Sequence, residues 1–486
     1  MLLVAQETLG IKQIEIVHAD VLKYNKQMKV HRLIGHVVCK HEHTLFYCDS
    51  AYLYDNQSLR AFGEVRIVSD SLTITAQSLL YDASTHRATL EQNVIGRDNQ
   101  MELKTEVLEY HTMTRMAYYP HRATIRRNEH ILVSDRGYYF LNSKVLAFKN
   151  NVVLTSPKYV IKTDTLLYDT HTDVAHFNAP TIILMEKDYL YCEKGWYDTK
   201  SKKAWFSKHP LLVSDYKKLY ADSLFFDEQK HEGMAYFHVR LIDTSQHTIV
   251  TGQFAQYNIL SEKAIMTPHP VLEKIQAQKD TLFLTADTLY YEKKDSFIVA
   301  RCIHQSQIYH TQFQARARDI IYYQKDSVIH LIDEPRFWFD KNQANSKAAS
   351  IYLKSATIEK IVLDTNVIIM QEVDTIYHNK YNQIAGRKMR IIFENDSIKN
   401  IYVDGNAQVY YFVQNSKKQW TGLNKAKCGS IRVDFVKNEI EKIVFAHQPE
   451  AVLIPIKKIQ IEKERLSDFQ WQPQLRPIRK YFSINE

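Results

Sequence analysis

The chain has 486 residues, 45% of them hydrophobic, and a formal net charge of +8. That length buries a sizeable core, five cysteines are too few for a disulfide-stapled scaffold, and no apolar run reaches the ~18 residues of a membrane-spanning helix. The basic residues are spread along the chain apart from a modest cluster at Arg476 to Lys480, and no helix-turn-helix, zinc-finger or single-strand-binding pattern accompanies them, which argues against nucleic acid as a partner.

In chain order, the start MLLVAQE is short and apolar and closes on Ala5. It reads either as the tail of an export signal's apolar core or as an ordinary first strand, and residues 1–17 are set apart on that account. The next stretch, GHVVCKHEHTLFYCDSAYLYD (35–55), places Cys39, His41, His43 and Cys48 in a string with the residue types of a metal site. The same letters alternate apolar and polar around a polar break, as a strand, turn and strand do. With a turn at His43 and Thr44, Cys39 and Cys48 are expected opposite one another, a disulfide candidate in an exported protein.

The hairpin reading is favoured because the stretch recurs. AQSLLYD (76–82), KTEVLEY (104–110), KTDTLLYD (162–169), YADSLFFD (220–227) and TADTLYYE (285–292) repeat its second half, and closing aromatics from Tyr54 to Phe226 are spaced by 27 to 30 residues. A partner element follows the same period of about 29 residues, marked by Val37, Val65, Val94, Val152 and Val239 and preceded by an Ala-x-aromatic or Ala-x-aliphatic step at Ala61, Ala88, Ala147, Ala204, Ala235 and Ala264. A fixed period of this size signals a repeat architecture, here two or three short strands per unit joined by polar turns.

Period-2 alternation assigns the faces. The expected interior carries Val37, Cys39, Tyr52, Tyr54, Val65, Ile67, Leu79, Tyr81, Val94, Leu108, Tyr110, Val152, Leu154, Leu166, Tyr168, Leu224 and Phe226, while Arg66 points away. Two sheets with facing apolar sides are the simplest closure, and about thirteen units at ~4.8 Å per strand predict an elongated two-sheet body on the order of 60 Å. The repeat runs over residues 18–340 and continues in looser form over 341–455. Residues 456–486 form a cap or tail, helix-like at IKKIQIEKERLSDF and broken by QPQLRP.

The Asp residues recur once per repeat, which fits turn formation better than a catalytic carboxylate pair, and no P-loop, G-x-S-x-G, H-E-x-x-H or dinucleotide fingerprint is present. Catalytic residues, metal ligands and cofactors are therefore not assigned. Two rival readings remain: a transmembrane β-barrel, disfavoured by apparent runs of six or seven residues, and a carbohydrate-active β-solenoid enzyme.

The recurring G-x-V and D-[ST]-L-x-Y-[DE] elements, as in AFGEVRI, LEQNVIG, DTLLYD, DSLFFD and DTLYYE, resemble the organic-solvent-tolerance (OstA) and LptA-like family over roughly residues 18–450. The C-terminal part looks like the long form of Bacteroidetes-type bacteria. The resemblance implies a β-jellyroll in the periplasm that binds lipopolysaccharide and carries it to the outer membrane, its acyl chains between the sheets, with no enzymatic activity. It also implies partners with similar jellyroll edges at the inner and outer membrane, and the open edge strands add end-to-end self-association.

Overall fold

The computed structural model describes residues 13–41, 43–69, 72–275, 281–294, 296–354, 357–374, 376–394, 397–436 and 439–482. The MLLVAQE segment lies outside them. Among the described residues the chain is antiparallel β-strand with a few 3-10 turns near its C-terminus. It divides into two units, Met1–Asp215 with Phe225–Gln229, and Tyr216–Leu224 with Lys230–Glu486.

In the first unit the expected short elements fuse. RAFG and EVRI are one strand, Leu59–Ser69, and ITAQ and SLLYD are one strand, Leu72–Asp82. Each such strand bends at its middle, and its two halves pair separately with the halves of the next strand. The result is two half-sheets joined through a line of bends. The bend is a bulge in which two left-handed residues oppose a shorter segment of the neighbour: Gly35 with His36, Gly63 with Glu64, Gln92 with Asn93, and Asn150 with Asn151. Glycine is required at the first two, where φ is +77° and +74° and a Cβ would overlap the carboxylates of Asp20 and Asp49. Elsewhere the bend becomes a break: Pro120 and Pro180 split the strand into Met116–Tyr119 with Ala123–Arg127, and Val174–Phe177 with Thr181–Met185.

The bends set which side chains face inward. On one half-sheet the inward-facing paired residues nearest the bend run Leu33, Ala51, Ala61, Leu79, Leu90, Leu108, Tyr119, Gly137, Phe148, Leu166, Phe177, Gly195, Phe206. On the other they run Val37, Cys48, Val65, Ala76, Val94, Thr105, Ala123, Ser134, Val152, Thr163, Thr181, Cys192. The side chains of both rows are buried. Along a strand the inner rows are four residues apart across a two-residue bulge (Ala61 to Val65, Leu90 to Val94) and three apart on the partner strand (Ala76 to Leu79, Thr105 to Leu108).

That spacing corrects one expectation. Counted from its own bend, Cys48–Tyr54 is one residue longer than Ala76–Tyr81, so Ala51 and Leu53 take the inward positions of Leu79 and Tyr81. Tyr52 and Tyr54 fall on the outward face, where the Tyr52 ring lies 6.2 Å from Phe62 and under Arg32. The cysteine register is corrected as well. His41 pairs with Thr44, so the register differs from one with a turn at His43 and Thr44: Cys39 faces Phe46 and Cys48 faces Val37. The two thiols are diagonal neighbours on one face, a separation of ~7–8 Å that a disulfide does not span, and both are free. The 11-residue bent strands also remove strand length as an argument against a membrane barrel.

The second unit continues the pattern, and its strands lengthen to 16, 14, 18 and 17 residues at Thr357–Glu372, Tyr381–Glu394, Ser397–Gln414 and Trp420–Val436. The expected helix after residue 456 is replaced by 3-10 turns at Ile456–Lys458, Ile461–Lys463, Pro473–Leu475 and Arg479–Phe482. The tail bonds to strands in place of itself. Gln383 donates to the Glu464 carbonyl at 2.9 Å and accepts from the Leu466 amide at 2.8 Å, and Gln343 does the same with Gln470 and Gln472 at 2.7 and 2.8 Å. Each amide side chain stands in for a neighbouring strand, which satisfies tail backbone that a helix would otherwise satisfy.

Candidate functional site: an apolar seam between two half-sheets

The two inner rows of the first unit touch. Tyr119 lies over Gly137, where a Cβ would occupy the space of its ring, and its hydroxyl meets the Ser134 hydroxyl of the other row at 2.6 Å. Burial pushes the Tyr119 phenol up to about 12, so it remains a neutral partner. The polar members of the inner row are bonded within the fold. Thr163 donates to the Thr165 carbonyl at 3.3 Å, Thr181 to Thr163 at 2.9 Å, and Ser134 to the Arg136 carbonyl at 3.2 Å. A hydroxyl satisfied by its own strand at the bend leaves no polar demand on whatever fills the seam.

One step further from the bends, each half-sheet carries a second inward row. On one side it reads Leu59, Tyr81, Ala88, Tyr110, Ala117, Tyr139, Leu146, Tyr168, Ala175, Tyr197, Ala204. Tyrosine alternates with a small or aliphatic residue, so each ring of this row lies beside smaller side chains on the neighbouring strands. Ala88, Ala204 and Ala264 of the Ala-x steps thus pair directly with tyrosines of the repeat, whereas Ala61 belongs to the inner row and Ala147 to the alternate face. On the facing side the row reads Cys39, Phe46, Ile67, Ile74, Gly96, Leu103, Ile125, Leu132, Leu154, Ile161, Ile183, Leu190.

Most residues of these second rows are only half-buried, Tyr81, Tyr110, Tyr139, Tyr168 and Tyr197 on one side and Ile67, Ile74, Leu103, Ile125, Leu154 and Ile183 on the other. Two of the phenols are anchored at their tips: Tyr168 donates to Asp173 at 3.0 Å and Tyr197 to Glu228 at 3.1 Å. Desolvation, and then those carboxylates, raise both phenols above their usual range. These two rings are therefore held in place and uncharged.

The expected site residues fall into place as follows. Val37, Val65, Val94 and Val152 are inner-row residues of one half-sheet, and Leu79, Leu108 and Leu166 of the other; Cys39, Ile67 and Leu154, and Tyr81, Tyr110 and Tyr168, are second-row residues. Leu224 is fully buried, and the Phe226 ring lies 6.1 Å from Phe206. Burial pushes the Cys39 thiol up to about 11 and the Cys48 thiol to about 12, so both behave as small hydrophobes.

The second unit carries the same rows with different content. Its tyrosine row runs Tyr257, Ala264, Tyr291, Ala300, Tyr322 and then becomes aliphatic: Ile329, Ile351, Ile361, Ile391, Ile401, Val433. These are 1% to 8% exposed. They pack with Ile308, Ala315, Phe337 and Ala344 of the facing half-sheet in one continuous cluster. The seam is filled there by the protein's own side chains.

A separate cleft of about 590 Å³ lies at the bends of the first unit, lined by His36, Tyr47, Asp49, Glu64, Arg66 and Gln77 among others. Its lining also includes Val37, Cys48, Val65 and Ala76 of the inner row, so it adjoins one end of that row at the line of bends.

Among known families, the one described as OstA-like protein matches residues 11–164 and 159–222. Among solved structures, LptH, the LptA homologous periplasmic component of the conserved lipopolysaccharide transport device from Pseudomonas aeruginosa, is 14% identical. That match covers 29% of this chain and 80% of that chain with a TM-score of 0.14, too low to carry an argument about the fold. No curated protein matches the chain.

Proposed function

We propose, from the premise that this chain is OstA-like through residues 11–222, that it is a non-enzymatic carrier of lipopolysaccharide across the periplasm, acyl chains lying in the seam of the bent-strand repeats. The observation that carries the reading is the pair of half-buried apolar second rows, Ile67 to Ile183 facing Tyr81 to Tyr197, which continue from strand to strand. Each methylene withdrawn from water contributes about 0.8 kcal/mol, so a chain of a dozen carbons laid along such rows binds without any single strong contact. The direction of movement and its energy source belong to partners, reached through exposed strand edges.

The reading is tested by purifying the protein from lipopolysaccharide-producing cells and measuring bound lipid. Ile125→Asp, on the second row, is expected to lower bound lipid several-fold while leaving the strand content unchanged. Equal lipid on the wild type and on Ile125→Asp removes the seam as the site.

A further inference from the structure

One end of the second unit presents an apolar tip on a basic base. The hairpin between Glu372 and Tyr381 is locked by an ion pair of Lys380 with Asp374, whose side chains are 8% and 5% exposed. The other oxygen of Asp374 accepts the amides of Ile376 and Tyr377, both at 3.1 Å. A buried charge pair spent on a surface turn fixes that turn's shape, and what it holds out is Ile376 and Tyr377, 78% and 74% exposed.

The surroundings are basic. The Lys380 ammonium lies 5.8 Å from the Trp420 ring, which places the next hairpin, residues 415–419 with exposed Lys417 and Lys418, beside the tip. Gly422 pairs with Pro455, so the turn Ile456–Lys458 starts at this same end and adds exposed Lys457 and Lys458. The nearby carboxylates are engaged: Asp374 by Lys380, and Glu372 by His378 at 2.9 Å and by Tyr381 at 3.3 Å. Glu462 stands next to Lys463 in sequence, and the two offset each other in net charge.

We propose that this end is a membrane-contact surface, in which Ile376 and Tyr377 enter the lipid–water interface of an anionic bilayer and Lys417, Lys418, Lys457 and Lys458 meet its headgroups. An aliphatic side chain and a tyrosine on a pre-formed turn enter that interface without a cost of ordering the loop, and the four lysines supply long-range attraction that salt weakens. Charge complementarity selects the anionic bilayer over a neutral one.

The test is sedimentation of the full chain with phosphatidylcholine vesicles, with and without phosphatidylglycerol. Binding is expected only with the anionic lipid and is expected to fall steeply between 0.05 and 0.5 M salt. Changing Lys417 and Lys418 to Gln should weaken it roughly 25-fold, at about fivefold per lysine. Ile376→Ser with Tyr377→Ser should weaken it about tenfold or more at unchanged thermal midpoint. All five native cysteines are buried, so Ile376→Cys gives a single labelling site, and an environment-sensitive dye there should shift to the blue with anionic vesicles. Equal binding to neutral and anionic vesicles, no binding to either, or variants within twofold of wild type would each overturn the proposal.

Discussion

The repeats up to Tyr322 and the strands after it use one backbone plan and fill it differently. Before that point the second inward row alternates Tyr with Ala or Leu and is mostly half-buried; after it the same positions are Ile329, Ile351, Ile361, Ile391 and Ile401, all sealed in a packed cluster. A row of isoleucines on adjacent strands packs against the opposite half-sheet by itself. The row of Tyr and Ala stays half-buried, and two of its rings, Tyr168 and Tyr197, are tied by their hydroxyls to Asp173 and Glu228. The lesson is that openness here is a property of side-chain choice at fixed register, not of a change in fold.

The largest effect should come from a charge in the inner row, which both regions share. Leu166→Asp is expected to cost about 3 to 5 kcal/mol in denaturant unfolding, whereas Leu80→Asp, 43% exposed on the opposite face, should cost under about 0.5. Comparable losses at both would break the assignment of faces.

Next is the closed region's buried ion pair. Burial raises the Asp374 carboxyl, but hydrogen bonds from Lys380 and from the Tyr377 and Ile376 amides outweigh it and hold the group below its ordinary value of 3.8. The folded form thus favours the carboxylate, and its contribution is present above about pH 4 and lost as pH falls through the folded value. Asp374→Asn leaves Lys380 buried without its counter-charge. It is expected to cost about 3 kcal/mol at pH 7, with the gap to wild type narrowing below pH 4 in acid titrations followed by circular dichroism. A gap that stays constant down to pH 2 would remove the linkage.

A smaller contrast sharpens the comparison directly. Ile351→Ala, in the filled region, should cost about 2 to 5 kcal/mol as a cavity, and Ile67→Ala, on the open second row, less than about 1.5, because water already reaches that side chain. The order should reverse for lipid binding, where Ile67→Ala weakens and Ile351→Ala does not. Smallest of all, Tyr52→Ser on the outward face should change stability by under about 1 kcal/mol and lipid content not at all. A loss of lipid there would restore the inward placement.

Much of this was legible in the sequence. The repeat period, the inward Val65, Val94 and Val152, and the L-x-Y face at Leu79, Leu108 and Leu166 follow from period-2 alternation alone. The fusion of short elements into bent strands was not, because a bulge at Gln92 and Asn93 or Asn150 and Asn151 carries no glycine and reads as a polar turn. Tyr52 and Tyr54 lie outward against expectation because parity is set from the bend, whereas matching closing Tyr-Asp pairs shifts the first copy by one residue. The tail's helix-like composition lost to the strands beneath it: Gln343 and Gln383 offer its backbone partners that only the folded sheet assembles.

Whether the half-buried rows hold lipid and the packed rows do not is read out by photocrosslinking in living cells. A photoreactive residue is placed in turn at Ile67, Ile125 and Leu154 and at Ile329, Ile351 and Ile391. Lipopolysaccharide adducts are expected at the first three and none at the last three. Adducts at both sets, or at neither, would contradict that expectation.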